Sequence, residues 1–478
     1  MLAALAPLHH RLRRRSPSPF RGGVALLALL AAAPVSAQTI AITGGRVVLG
    51  DGSEPIDGGT VVIRDGRVVA AGAGVAVPAG AQVVDASGRW VTPGIVAGFS
   101  RIGLIEVDAV SGTNDTAAAQ GPFSAAIDIT PAVNPEASSI AVNRAAGVTR
   151  AVVAPVTARS IFAGQGAVID LGADMRPITR GRHFQFVELG ERGASVAGGS
   201  RPSAHALLRN ALREAGQLRY PISGGGGQPR ERVGVSQPQL EDQPDFRMFE
   251  PTGPRPTDVL LTRFDAAALV PVVRGEQLLL VHVNRASDIL QTLALSREFP
   301  NLRLVLVGAS EGWRVAREIA AARVPVIANA LESLPSSFEQ VSATQSNVGR
   351  MRAAGVNVAI GMINDNEARQ IRLSTQYAGN LVALTRIPGH TGLSWGEAFA
   401  AISARPAEAL GLDGEIGSLR PGRRADVVIW DGDPLELTSG VQAVWIDGVA
   451  QPLENRQTRL RDRYRTATES ELPKAYER

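Results

Sequence analysis

From residue 38 the chain runs through short segments in which apolar and polar positions alternate with a period of two: "IAITGGRVVLGDG", "GTVVIRDGRVVAAG" and "AQVVDASGRWVTPG". Such alternation marks half-buried strands, and Asp65-Gly66 between two apolar runs marks a tight hairpin. Similar text returns near the other end in "GSLRPGRRADVVIWDGDPLEL" and "GVQAVWIDGVAQ". Between these β-rich ends the pattern changes. Apolar runs ("GVTRAVVAP", "GQGAVIDL", "LLLVHV", "LRLVLVGA", "VPVIAN", "NVAIGM") alternate with helical stretches at 202–216, 286–299, 312–322 and 367–384. Strands apolar on both faces and joined by helices form a parallel sheet covered by helices. With residues 91–98 as a first strand, seven or eight strands are legible. This predicts an α/β fold: a (β/α)8 TIM barrel with a small β-sandwich domain formed from both ends of the chain.

The expected organisation is a signal peptide at 1–37, sandwich strands at 38–92, a barrel at 93–413, further sandwich strands at 414–455 and a charged tail at 456–478. A Gly/Pro/Gln-rich insertion at 223–258 interrupts the barrel; it contains no Gly-Lys-Ser/Thr, so it is no phosphate loop. The leader joins an arginine-rich start to the apolar run "VALLALLAAA" and the small-residue site "PVSA". That is the pattern of a Sec-type signal peptide cut after Ala37, and it predicts an exported, periplasmic protein. No apolar run reaches the roughly 20 residues of a spanning helix.

Composition changes this picture in two ways. The chain has 49 basic and 45 acidic residues, but the leader alone holds five arginines and no acid. Without it the charge is close to balanced, so the basic isoelectric point is no sign of nucleic-acid binding. The chain has no cysteine, which excludes disulfides, thiolate metal ligands and a thiol nucleophile.

The segments "ITGGRVVLGDG…GGTVVIRDGRVVAAG…VVDASGRWVTPGIVAG" resemble the N-terminal sheet and first barrel strand of the amidohydrolase superfamily. "GHTGLSWGEAFAAISARPAEALGLDGEIGSLRPGRRADVVIWDGDP" is similar to its closing segment, especially in the imidazolonepropionase-like branch. The resemblance runs from about residue 40 to 450. It implies a hydrolase that cuts carbon–nitrogen, non-peptide bonds with metal-activated water.

That chemistry needs imidazole or carboxylate ligands about 2.0–2.2 Å from a divalent cation. The family places D-x-H-x-H at the end of the first strand, because a spacing of two points side chains the same way. Here those positions read Ala97, Phe99 and Arg101. Phenylalanine cannot ligate, and arginine stays cationic. The fifth-strand histidine is retained as His282. The sixth-strand position reads Gly308, and the eighth-strand Gly-Thr-Asp reads Gly361-Met362-Ile363, so the aspartate at Ile363 is replaced unless Asp365 takes its role. The family's carboxylated lysine has no counterpart in the barrel, since the single lysine is Lys474.

Candidate catalytic residues are therefore His282, Asp365 and Glu106, with Asp108 beside Glu106 and with Arg101 as a substrate-binding cation. The ligand losses predict no metal cofactor; the alternative is one zinc in a rebuilt site using His282, Asp365 and Glu106 or His183. His205 and His390 read as a helix and a loop histidine. No G-x-S-x-G supports a serine nucleophile. Three functional readings stand: a C–N hydrolase whose activity is reduced, rearranged or absent; a non-catalytic relative, a pseudoenzyme; and metal-free acid/base chemistry using Glu106, Asp108 or His282. The partners expected are a small-molecule ligand or an intact amidohydrolase subunit, in an oligomer, with no nucleic acid.

Overall fold

The computed structural model describes residues 39–218, 260–364 and 368–465. The leader, the 223–258 insertion, Asp365 and Lys474 lie outside the described residues.

Eight strands follow one another around a single sheet in chain order. They are β1 (Ile95–Ser100), β2 (Val148–Val153), β3 (Phe162–Asp170) and β4 (Ile178–Glu188), then β5 (Leu278–Val283), β6 (Arg303–Gly308), β7 (Val326–Ala328) and β8 (Val358–Ile360). At the seam, Met362 N donates to the Phe99 carbonyl at 3.0 Å, so the sheet is nearly closed. This is a TIM-barrel-like α/β fold.

One strand departs from the expected pattern. β3 runs antiparallel to both β2 and β4, whereas the other neighbouring pairs are parallel. The cause is chain length: 154–161 and 171–177 are too short for a crossover, which takes a dozen or more residues. The result is two hairpin-like returns in place of two βα units. β4 itself was not among the apolar runs that marked strands in the sequence.

Helices fill the other connections. α1 (Ser138–Arg144) precedes β2; α2 (Gly190–Val196), α3 (Arg201–Gln217) and α4 (Arg263–Arg274) separate β4 from β5. α5 (Ala286–Leu293) and α6 (Leu295–Glu298) follow β5, α7 (Ala316–Ala322) follows β6, and α8 (Asn347–Ala353) follows β7. No helix among the described residues is long and apolar enough to cross a membrane.

Alternation along the strands sorts the core into two layers. Leu279, Val281 and Val283 of β5 pack outward under the helices, with Leu304 and Leu306 of β6. Leu278, Leu280, Val305 and Val307 fill the barrel interior with Phe184 and Phe186 of β4. His282 continues the inward series of β5, which puts an imidazole at the strand's C-terminal end.

The strands from the two ends of the chain form a second eight-stranded sheet. Trp90–Pro93 is its link to the barrel: it pairs with Val427–Trp430 from the far end and with Thr39–Val47 from the near end. The chain then turns at Gly94 and becomes β1. A Cβ at Gly94 would lie 2.0 Å from Thr149 Oγ1, so no larger residue fits where the two sheets exchange the chain. The first strand expected at 91–98 is therefore two strands in two sheets.

Arg150 ties the barrel to these terminal strands. Its side chain is 1% exposed. It donates to both carboxylate oxygens of Asp426 at 2.7 and 2.9 Å and to Asp447 at 2.8 Å, and Asp170 of β3 lies 3.6 Å away.

Candidate functional site

A cavity of about 180 Å³ opens at the C-terminal ends of the barrel strands. Its floor is aromatic: Phe99 and Phe186 pack with ring centroids 5.2 Å apart. Its walls are polar and charged, contributed by Arg101 after β1, Glu188 of β4, His282 of β5 and Glu332 and Glu339 after β7. Strand register explains the central pair. His282 lies directly opposite Glu188 in the β4–β5 ladder, both point inward, and His282 Nδ1 is hydrogen-bonded to Glu188 Oε1. Nε2 is left on the cavity side, next to Gly308.

Burial pushes the His282 imidazole toward its neutral form, but Glu188, and more weakly Glu339 and Glu332, outweigh it, so its pKa is raised above the ordinary histidine value. A carboxylate on Nδ1 fixes the ring's orientation and stabilises the imidazolium, leaving Nε2 as the group that can meet a ligand.

The rest of the wall is a hydrogen-bonded network. Asn284, two residues after His282, donates to Glu339 Oε1 at 3.1 Å and accepts from Ser310 Oγ at 2.9 Å. The single Ser310 hydroxyl proton lies between Asn284 Oδ1 and a Glu332 carboxylate oxygen, and the other Glu332 oxygen accepts from Gln340 at 3.1 Å. Glu339 is held from outside by Arg201 at 3.3 Å and by the Glu191 amide at 2.7 Å.

Arg101 is 5% exposed. It donates to the Ile363 carbonyl at 3.3 Å and lies 5.6 Å from the centre of the Phe99 ring. Thus Phe99, Arg101, His282, Gly308 and Ile363 come together around one cavity. Ala97 does not join them. It packs in the outer layer, and the β1–β2 register shifts between Ala97 and Ser100, reversing the alternation expected from the sequence.

Other candidates are elsewhere. Glu106 accepts from Ser138 N at 2.9 Å, holding the start of α1, and Asp108 pairs with Arg369. Neither lines the cavity. His183 lies early in β4, five residues before the mouth end, where Nε2 meets the Leu410 carbonyl at 2.9 Å. It does not line the mouth cavity, where a share in a rebuilt zinc site would need it, and burial lowers its pKa. His205 is on α3, and His390 is exposed with Nδ1 3.4 Å from the Pro388 carbonyl.

The residues that the sequence resemblance aligns with ligand positions do not have the donor chemistry of a metal pair. A buried guanidinium and a phenyl ring stand at two of them. At Gly308, where φ is +87°, a Cβ would lie 2.5 Å from Asn284 Oδ1 and 2.9 Å from His282 Nε2. Among the described residues no three histidine, aspartate or glutamate side chains converge as a metal-binding group. Restoring Phe99→His and Arg101→His together should therefore leave zinc binding weaker than micromolar by calorimetry. Nanomolar zinc in the double variant would overturn this assignment of the ligand positions.

Glu188, Asn284, Ser310, Glu332 and Glu339 were not singled out in the sequence. The alternation in "HFQFVEL" was the available signal for Glu188.

The fold is thus a nearly closed barrel with a carboxylate-backed histidine at its C-terminal mouth. A profile of the amidohydrolase family matches residues 307–450. The chain is 26% identical over 390 residues to "Amidohydrolase tasK" of Hapsidospora irregularis, covering 78% of this chain and 37% of that protein. It is 38% identical over 106 residues to an imidazolonepropionase of Maricaulis maris, covering 22% and 25%. An amidohydrolase structure from Thermotoga maritima superposes with a TM-score of 0.69 at 23% identity, over 87% of this chain and all of that one. The chain spans less than two fifths of the length of these two curated relatives. These matches support the amidohydrolase superfamily, and the imidazolonepropionase match supports its imidazolonepropionase-like branch.

Proposed function

We propose that the protein hydrolyses a carbon–nitrogen, non-peptide bond of a small polar molecule held in the barrel mouth, with His282 moving the proton. The observation that carries this reading is the Glu188–His282 pair, whose Nε2 is open to an enclosed cavity. Glu188 raises the His282 pKa above the ordinary histidine value, which favours the protonated ring that can give a proton from Nε2 to the departing nitrogen. Water adds to the carbon, the C–N bond breaks, and His282 is recharged by the proton that the attacking water loses. Glu188 keeps the ring oriented throughout. Arg101 sits where it can oppose negative charge growing on the substrate oxygen. The resemblance to the amidohydrolases supports the bond type.

The test is amine or ammonia release from a panel of linear and cyclic amides and imides. Turnover should fall by about 10²–10⁴-fold in His282→Ala, the usual worth of a positioned acid–base group. In Glu188→Gln the lost carboxylate lowers the His282 pKa, so the alkaline limb of the rate profile should move to lower pH. Turnover that survives His282→Ala unchanged sinks the mechanism.

A second reading has its own support. Phe99, Arg101, Gly308 and Ile363 replace the family's ligands at four positions, which suits a barrel that binds a ligand or partners an intact amidohydrolase without turnover. Binding by calorimetry with no product across the panel would favour it. The single-zinc alternative needs Asp365 beside His282. Elemental analysis of protein purified without chelators reads it directly, expecting about one zinc per chain that is lost in His282→Ala. The leader supports a periplasmic location, and the strands contributed by both ends support a β-sandwich reading of the second sheet.

A further inference from the structure

We infer that the groove between α3 and α5, on the outside of the barrel, binds a small oxyanion carrying two or more negative charges, such as a phosphorylated or polycarboxylate molecule. Arg201, His205, Arg209 and Arg213 recur every four residues on α3 and so share one helix face. Opposite them stand Arg285 and Asp288 at the start of α5. The groove encloses about 550 Å³, some three times the barrel mouth. That is room for a phosphate ester and its carrier.

The charges inside are poorly balanced. Asp288 is shared by Arg201 at 2.9 Å and Arg285 at 2.8 Å. Glu298 is shared by Arg209 at 3.3 Å and by Arg213. Arg201 is also met from the mouth side by Glu339 at 3.3 Å and Glu191 at 3.8 Å. This leaves Arg209, Arg213 and Arg285 with two carboxylates among them, one of which Arg201 also uses.

Donors outnumber acceptors by more. The three guanidiniums of Arg209, Arg213 and Arg285 offer roughly fifteen N–H groups, whereas Asp288, Glu298 and Asn210 Oδ1 together present five acceptor oxygens to them. Two buried nitrogens of the groove residues, Arg285 Nε and His205 Nδ1, have no hydrogen-bond partner among the described residues. Buried polar atoms without partners cost free energy, and an arriving oxyanion supplies acceptors. Arginine forks suit phosphate and carboxylate oxygens by geometry as well as charge.

The experiment is calorimetric titration of the whole protein at low ionic strength with inorganic pyrophosphate and, separately, with citrate. One anion per chain is expected. The affinity should drop at least tenfold in Arg209→Ser/Arg213→Ser, and likewise in the separate variant Arg285→Gln, while Arg101→Ala at the barrel mouth leaves it unchanged. Tighter pyrophosphate assigns a phosphorylated ligand, and tighter citrate a polycarboxylate. Binding of neither probe overturns the proposal. So does binding that Arg101→Ala abolishes and the groove variants leave intact, because the anion would then sit in the barrel mouth.

Discussion

Replacing Arg150 with alanine should lower folding stability by about 3–5 kcal/mol, the usual cost of removing one partner from a buried ion pair. The arginine is fully enclosed and its guanidinium joins β2 of the barrel to Asp426 and Asp447 of the terminal strands. Without it, buried Asp426 loses the arginine that pairs with it in low dielectric, while Asp447 keeps Arg424 at 3.0 Å. The loss should depend on pH. Burial first, with weaker repulsion from Asp174 and Asp447, raises Asp170 to about 6, against the opposing pull of Gly172 N and of Arg150 itself. A carboxyl whose pKa is raised on folding favours the folded state at low pH, and that contribution fades as pH rises from about 4 through 6. Removing Arg150 takes away one of the groups that lower this pKa, so the fading should extend upward. The deficit of Arg150→Ala should then be smaller at pH 5 than at pH 8. Urea denaturation at both pH values checks this. A deficit below about 1 kcal/mol, or one equal at both, would mean that the terminal strands are held by apolar packing alone.

Placing a histidine back at position 308 is expected to destabilise the barrel mouth by about 2–4 kcal/mol and to gain no metal. The backbone there is left-handed, at φ +87°. A non-glycine side chain in that region costs about 1–3 kcal/mol. The Cβ would also collide with Asn284 Oδ1 and with the His282 ring, so the side chains that hold Glu339 and face the cavity must move. Gly308→Ala isolates the backbone and Cβ cost, and Gly308→His adds the imidazole. Both should melt earlier, and zinc should raise neither melting temperature. A Gly308→His protein as stable as the parent, with zinc-dependent stabilisation, would show that the mouth can relax into a ligand arrangement. The second functional reading would then lose its main support.

These two positions show where sequence reasoning stops. Arg150 sits in an ordinary strand, "VTRAVV", and nothing local says that its partners lie 276 and 297 residues away. Gly308 reads as the end of an apolar strand. That glycine is required there became evident only when His282 and Asn284 were seen beside it. Glu188 was missed for a different reason. β4 begins with polar residues in "ITRGRH", and only its last turn of alternation, "FQFVE", is strand-like. His282, by contrast, was legible, because five apolar residues around it define a buried strand whatever lies next to it. Glu106 had the right residue type near the right strand, but the loop after β1 folds outward and gives its carboxylate to the start of α1.

The sequence by itself determined the strand-and-helix alternation of the barrel, the sheet built from both ends, the resemblance to the amidohydrolases, and the residue types Phe99, Arg101, Gly308 and Ile363 at the positions that this resemblance aligns with ligands. These follow from local periodicity and residue chemistry, which depend on near neighbours along the chain. Only the tertiary structure decided that β3 runs backwards, that residues 91–98 belong to two sheets, that Glu188 backs His282, and that Arg150 joins the barrel to the terminal strands. Each of these is a pairing across the sheet or between sheets. Register and loop length set such pairings over long separations, so no local pattern carries them.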